Sequence, residues 1–528
     1  MTVTTVQRHE LVSKYVGIVH QIGNTVVDQK ALRAHLSIDG VDYWAASLLR
    51  ESSPWSSSIF SRIDALRGQT NLRTDTTFHI PNSATQTLEK LLSRLQVWGY
   101  WCLSAFASLR NRVHHIAGDV VFVVFLTESS LPTSDYEIVA RYFGKLPDHV
   151  RSMGLTPVVV FLPTDSRPAT LSRGERRTWY TLRREMKSVA ITSFITPRTV
   201  WRSWKSWRCL RQQAPAPRKV SAALSPDVAT MWPYFERDYV QSTRGTASVR
   251  VSLLANGFRT MLKAIHGARL VVYPFEGQGW ESLLERTCDV AKVPSIAYLH
   301  TIMKPWDLRA HTALREVPPR TLALHGEYDR TELQMQTTSN APRVQTVSVE
   351  ALRYAYLAKS GRSQSRKSTD RRVLIVMGSD CKNSFNQFLA ITDEIRRQSR
   401  AWELIVKPHP QCPLSGATNR ALQLVAGSLH ESFAESTAVV LCGTAAPLDS
   451  YLYGLPTAAL VDSTGYSMNP LEPDGSYYVG QTPAEVVAWL TSAMEQPQAV
   501  PSAERFFDLS PGFSKWENVL LNALASRE

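Results

Sequence analysis

Short apolar runs recur along this chain, and they constrain its fold more than any other feature. The first set is VVFVVFL (120–126), PVVVFL (157–162), RLVVY (269–273), SIAYL (295–299) and RTLAL (320–324). The last third adds RVLIVM (372–377), ELIVK (403–407), AVVLC (438–442) and TAALV (457–461). These runs are rich in β-branched residues and nearly continuous in hydrophobicity. A strand that is apolar on both faces must be covered on both, which is the condition of a parallel sheet packed between helices. Helical stretches fall between the runs, over 134–150, 280–291, 384–399 and 445–453. The expected class is therefore α/β, doubly wound.

The stretch KSGRSQSRKSTDRR, 359–372, holds no large apolar residue and reads as a linker. It divides the chain into a first Rossmann-like domain over 118–358 and a second over 373–528. Residues 1–117, mixed and largely helical, join the first domain. Two such domains predict a cleft with ligands at the carboxyl ends of the strands.

Bulk composition excludes several classes. With 44% hydrophobic and 20% charged residues, the chain is not a largely disordered one. The six cysteines are scattered, without CxxC or metal-spaced histidines, so neither a zinc site nor a disulfide framework is expected and a reducing cytosol fits. The N-terminus lacks a signal-peptide pattern. No run reaches the roughly 18 apolar residues of a membrane span. The longest candidate, VWGYWCLSAFASL (97–109), is either a buried helix or an interfacial one. Lysine and arginine number 59 against 46 acidic residues, a net charge of +13 that favours anionic partners. Three readings fit RTVWRSWKSWRCLR (198–211): a solvated helix face over packed tryptophans, a membrane-surface patch, or an RNA-binding patch.

Small, hydroxyl and basic groups cluster where strands of the last third end. RVLIVM runs into Gly378 and Ser379, ELIVK ends in Lys407 and meets His409 and Pro410, and AVVLC runs into Gly443 and Thr444. Backbone N–H groups and a hydroxyl at a helix start bind phosphate, and a histidine fixed between prolines can donate to it. Lys407 adds positive charge, and Asp449 is placed for a ribose diol. Each has a plainer role as turn, cap or surface residue. Neither a Walker A nor a GxGxxG motif is present, which counts against ATPase and NAD-enzyme readings.

In the first domain the telling stretch is VVYPFEGQGWESLLERT (271–287). Glu276 follows a strand exit, Gly277 and Gly279 leave room, and Phe275 or Trp280 offers a ring for a sugar. Glu281 opens the next helix, where the dipole favours it. A single base at such a place suits an inverting sugar transfer, in which a carboxylate takes the acceptor hydroxyl proton. Glu276 is the first candidate, with Glu281 and Asp238 behind it, and a structural turn role is its alternative. His300 and Arg309 are candidates for substrate binding, and Trp44, Glu51 and Ser52 for the acceptor side.

ELIVKPHP and AVVLCGTAAPLDSYLYGLPTAALVD resemble the second domain of GT-B fold glycosyltransferases, two Rossmann-like domains facing across a cleft. The His-Pro pair and the following hydroxyl are similar to bacterial sialyltransferases and Kdo (ulosonic acid) transferases that use CMP-sugars. YPFEGQGWE looks like their acidic motif before glycine, with Phe275 in place of its first carboxylate and Thr444-Ala445 in place of a hydroxyl pair. With DGVDYWAASLLRESSPWSSS and HTIMKPWDLR, the pattern also resembles bacterial surface-carbohydrate biosynthesis transferases. The resemblance implies a metal-independent, inverting transferase with no cofactor beyond its nucleotide-sugar co-substrate. Its acceptor would be a surface glycan or lipid-linked precursor, its place the cytoplasm or the inner face of the cytoplasmic membrane, with peripheral membrane contact and no nucleic acid partner. A nucleoside-diphosphate-hexose transferase, a sugar-nucleotide epimerase on the same fold, and a non-catalytic lipid- or nucleic-acid-binding protein are the rival expectations.

Overall fold

The apolar runs form two parallel sheets in a computed structural model of the chain. The structure describes all residues except 1–4, 52–65, 67–82, 114, 127–133, 165–166, 305–306, 337–343, 359–370, 379–380, 399–401, 410–422, 426–428, 443–446, 462–470, 472–474, 496–501 and 527–528.

The first sheet holds β1 (Val120–Leu126), β2 (Pro157–Pro163), β3 (Lys187–Ala190), β4 (Leu270–Pro274), β5 (Ser295–Tyr298), β6 (Thr321–Leu324) and β7 (Gln345–Ser348). Their spatial order is β7-β6-β5-β4-β1-β2-β3, every pairing parallel. The second holds β8 (Arg372–Met377), β9 (Glu403–Lys407), β10 (Gln423–Leu424), β11 (Ala438–Cys442), β12 (Thr457–Leu460) and β13 (Tyr477–Gly480), in the order β10-β9-β8-β11-β12-β13, again all parallel. Each order reverses direction once, at β1/β4 and at β8/β11. A crevice opens outside the carboxyl ends of the strands at such a reversal. The expected α/β class with two Rossmann-like domains is what the chain adopts.

The central strands are buried throughout, as their composition demands: β2 and β4 are buried along their whole length. Helices used below are α1 (Thr5–Asn24), α2 (Leu48–Glu51), α3 (Ser83–Ser108), α4 (Pro197–Gln213), α5 (Pro233–Arg244), α6 (Thr246–Ala264), α7 (Gly279–Ala291), α8 (Leu308–Glu316) and α9 (Ser514–Ala525). The expected helix over 134–150 is two, Asp135–Phe143 and Leu146–Ser152, because Gly144 ends the first at a φ of 52°.

The domain limits differ from expectation at the C-terminal end. The first unit takes His9–Thr301, Asp307–Arg353 and also Ser510–Glu528. The last helix, α9, therefore belongs to the first unit and not to a domain running over 373–528. Trp516, Leu520 and Leu524 enter the core of the first sheet. Glu350 accepts from the Lys515 and Trp516 amides at 2.8 and 3.1 Å, and the Trp516 indole donates to the Glu350 carbonyl at 3.0 Å. The N-terminal region also joins the first unit. His20 and Trp44 both reach Glu316 of α8, at 2.6 and 2.9 Å. Trp44 is core, 2% exposed. Most of the expected linker lies outside the described residues, and Arg372 is already the first residue of β8.

Candidate functional site

The exit of β4 stands at the reversal of the first sheet, next to β1. Here Phe275 donates its amide to Tyr298 O of β5 at 2.7 Å, which continues the sheet pairing one residue past the strand. The chain then turns at Gly277, with a φ of 72°. A Cβ there would fall 2.4 Å from Arg309 O and 2.5 Å from Ala310 N. The first turn of α8 presses against this turn, so the position demands glycine for both its φ and its lack of side chain.

Glu276 is the centre of the cluster that results. One carboxylate oxygen lies 3.2 Å from His300 Nε2. The other accepts from Gln278 Nε2 at 2.7 Å and lies 3.8 Å from the Arg309 guanidinium. Gln278 is aimed by Trp280, whose indole N–H donates to its amide oxygen at 2.9 Å. Tyr142 lies with its ring 5.3 Å from that of His300. Burial, and then the Glu276 charge, push the Tyr142 phenol above its ordinary range. It therefore stays protonated at neutral pH.

Glu281 serves the backbone. It accepts from the Glu276 amide at 3.1 and 3.0 Å and from the Gln278 amide at 3.0 Å, closing a capping box with Gln278 at the start of α7. Burial first, and then Glu276, push its carboxyl well above the usual range, against the amides and Arg309. Burial opposes the charge of Arg309, yet Asp307, Glu276, Glu51 and Glu281 hold its guanidinium above the ordinary range. It remains a cation.

Beneath the turn lies Arg50 of α2, fully buried. Its guanidinium donates to Gly277 O at 2.9 Å, while Thr312 Oγ1 donates to the Arg50 carbonyl at 2.6 Å. α2 is thereby fastened to the turn and to α8 at once. Glu51 stands beside Gly279, where a Cβ would come within 3.0 Å of its carboxylate.

Side-chain exposure separates these groups. Glu276 is 29% exposed, whereas His300 is 6%, Asp307 9% and Arg309 12% exposed, and Glu281 is buried. Glu276 is therefore more exposed than Glu281 and Asp307, and Glu51 beside Gly279 is likewise only half-buried.

The structure brings together Glu276, Gly277, Trp280, Glu281, His300 and Arg309 from the sequence candidates. Trp280 is buried, edge-on to Phe125 at 5.4 Å, and so stands under the turn instead of offering its face to a sugar. Phe275 is buried likewise. Asp238 is on α5, half-buried. Sequence reasoning missed Gln278, Arg50, Asp307 and Tyr142. Gln278 had a signal, being the residue three before Glu281 in a capping box; Arg50 and Tyr142 are far away in the chain and had none.

In the second unit, Lys407 is the last residue of β9, and Gly378, His409 and Asp449 follow the ends of the adjacent strands β8, β9 and β11. The Gly378 amide donates to Cys442 O at 2.9 Å, tying the two strands at their reversal. Lys407 Nζ lies 3.4 Å from Val425 O, and burial lowers its pKa against the pull of Glu431. Burial also lowers the pKa of His409, so its ring is neutral at pH 7 and offers one N–H. Ser379, Pro410, Gly443 and Thr444 lie outside the described residues, as does Ser52.

No family model matches the chain, and no curated protein matches it. Solved structures do. The UDP-GlcNAc 2-epimerase from Neisseria meningitidis bound to UDP-GlcNAc is 10% identical with a TM-score of 0.45, over 77% of this chain and 100% of that one. The glycosyltransferase SnogD from Streptomyces nogalater is 12% identical with a TM-score of 0.32, over 77% and 100%. Acinetobacter baumannii MurG is 10% identical with a TM-score of 0.33, over 71% and 91%. Likenesses at this level carry no argument about chemistry.

Proposed function

We propose that the chain is a glycosyltransferase that moves a sugar from a nucleotide donor to a hydroxyl of a glycan or lipid-linked glycan, with inversion. The observation that carries this reading is Glu276: a partly exposed carboxylate at the reversal of a parallel sheet, held by His300 at 3.2 Å and Gln278 at 2.7 Å. Glu276 takes the proton from the acceptor hydroxyl as its oxygen attacks the anomeric carbon. His300 and Gln278 keep the carboxylate in one orientation, and Arg309 balances its charge when it is ionised.

In the second unit, Lys407 and the N–H of His409 at the strand ends are the groups suited to a donor phosphate, without a requirement for metal. The sequence resemblance supports a CMP-linked ulosonic acid as the donor, with a nucleoside-diphosphate sugar as the alternative. Gly378 leaves the backbone open beside the nucleotide, and Asp449 takes the ribose hydroxyls.

A thermal-shift panel with CMP, CDP, UDP, GDP and dTDP tests the reading. A nucleotide at about 100 times its dissociation constant adds roughly 2.7 kcal/mol of stability. Stabilisation by CMP, lost in His409→Ala, supports the CMP-sugar donor. Stabilisation by a diphosphate alone moves the donor to a nucleoside-diphosphate sugar. Incubation with the matching nucleotide sugar and glycan then separates transfer from epimerisation. A glycosidic product supports the proposal, and an isomerised sugar nucleotide without one overturns it.

A further inference from the structure

From Val97 to Ser108 helix α3 carries no charge, and of its apolar faces only one is covered. Val97, Trp101, Ser104 and Ser108 form the buried face, and Trp101 meets Trp207 of α4 edge-on at 5.7 Å. On the other side Leu91, Leu95, Trp98 and Phe106 are 52%, 59%, 54% and 59% exposed. At 3.6 residues per turn these four fall within an arc of about 80° along about 23 Å of helix. Leu92 and Leu103, also exposed, widen the stripe to about 140°. Leu109, just past the helix end, extends it. A helix apolar on both faces is ordinarily buried on both, and an exposed patch of this size marks an interaction surface.

The neighbouring helix α4 supplies the other half. It packs beside α3 and carries no acidic residue. Its exposed face presents Arg198, Arg202, Lys205 and Arg208, with Trp201 60% exposed among them. Arg208 lies over the Trp204 ring at 5.5 Å, and Arg110, beyond the end of α3, over the Phe106 ring at 5.2 Å.

We propose that α3 and α4 form a docking face for an anionic phospholipid bilayer. Leu91, Leu95, Trp98 and Phe106 enter the boundary between headgroups and acyl chains, while Arg198, Arg202, Lys205 and Arg208 meet lipid phosphates. An apolar stripe beside a cationic one is what an interfacial helix needs, since each contribution alone binds weakly. Among the described residues no helix is long and apolar enough to cross a membrane, so the face lies on the bilayer. A second copy of the chain is the poorer occupant, because a two-fold pairing would set acid-free basic helices against each other.

The face also has a bearing on the site. Helix α6 packs against α3 and α4 on one side and against α7, which carries Glu281, on another. Two helix-packing steps of about 8–10 Å place α7 within about 20 Å of α4. That consequence for a lipid-linked acceptor rests on the transferase reading, but the docking face itself does not.

The test is sedimentation of the full chain with vesicles of phosphatidylcholine alone and with phosphatidylglycerol added. No nucleotide is present, so failure here is separate from failure of the transferase reading. Binding to the anionic vesicles is expected. Replacing Arg198, Arg202, Lys205 and Arg208 together by Gln should weaken it about a hundred- to a thousandfold. Leu95→Ser with Trp98→Ser should abolish it at any salt, with an unchanged circular dichroism spectrum and thermal transition. Absence of binding to anionic vesicles by the wild type overturns the proposal. So does retention of binding by both variants. A dimer in ultracentrifugation that the Leu95/Trp98 variant dissolves, without vesicle binding, assigns the face to a second copy instead and also overturns it. Should the serine pair unfold, Trp98→Gln alone replaces it, with a loss of at least tenfold expected.

Discussion

Gly277→Ala is the substitution that most directly tests how the β4 turn is built. Two costs add at this residue. A non-glycine side chain at a φ of 72° costs about 1–2 kcal/mol from its own backbone. The new Cβ also falls 2.4–2.5 Å from Arg309 O, Ala310 Cα and Ala310 N. These are backbone atoms at the start of α8, which Thr312 fastens to α2, so no rotamer change relieves the overlap. Overpacking of that kind adds about 1–3 kcal/mol. Gly154→Ala is the matched control. Its φ is 79°, but nothing lies within 4 Å of its Cβ position, and it belongs to the same unit. It should show the backbone cost alone. Differential scanning calorimetry of both variants of the full chain reads the same unit's transition, which avoids treating a two-unit chain as two-state. Gly277→Ala should lower that transition more than Gly154→Ala by the equivalent of about 1–3 kcal/mol. Equal shifts would refute the close approach of α8 to the turn.

Three further outcomes follow from the same geometry. Glu276→Gln should lower the transfer rate by about 10²–10⁴-fold while leaving nucleotide-induced thermal stabilisation intact, measured by product formation and thermal shift. Trp516→Ala should cost about 3–5 kcal/mol and lower the calorimetric transition of the first unit, because its indole is buried in that unit's core and bonded to Glu350 O. The third concerns pH. Burial, and then His300 and Arg353, push the pKa of His325 well below its ordinary value of about 6.5, so the unfolded chain binds a proton there that the folded chain refuses. Its contribution to stability is complete above about pH 6.5 and declines as the pH falls below it. His325→Gln should flatten the change in urea midpoint between about pH 7.5 and about pH 5.5.

What the sequence made legible was the interior of each sheet. Continuous apolar runs such as VVFVVFL and AVVLC can be satisfied only between two layers, and they fell where the strands are. Within the two large sheets the strands it missed are β3, β7, β10 and β13, and each is the edge of its sheet. An edge strand is half-exposed and takes polar residues: β7 is Gln-Thr-Val-Ser, without a buried position. Such a strand exists because its neighbour offers a row of backbone groups, which no local pattern records. Helix α9 was placed in the wrong domain for a related reason. Its apolar face announces that it packs, but Trp516 and Glu350 are 166 residues apart, and the partner is set by the completed sheet.

The site shows the same division between local and distant information. Glu276 and Glu281 were visible as a pair of acids around two glycines, and their separation into unlike roles comes from the turn between them. Glu281 is spent on the Glu276 and Gln278 amides. That fixes the backbone from which the Glu276 side chain projects, so the carboxylate that is hidden holds the one that is exposed. Two acids five residues apart at one strand exit are thereby pushed into different environments, which is how a site obtains one base instead of two competing ones. His300, Arg309 and Gln278 then complete the surroundings of Glu276 from the exit of β5, the first turn of α8 and the N-cap of α7. Three elements converge on one oxygen pair because the sheet reverses its winding beside β4. The residue proposed as the base could be picked out of the sequence, but its orientation is a property of that topology.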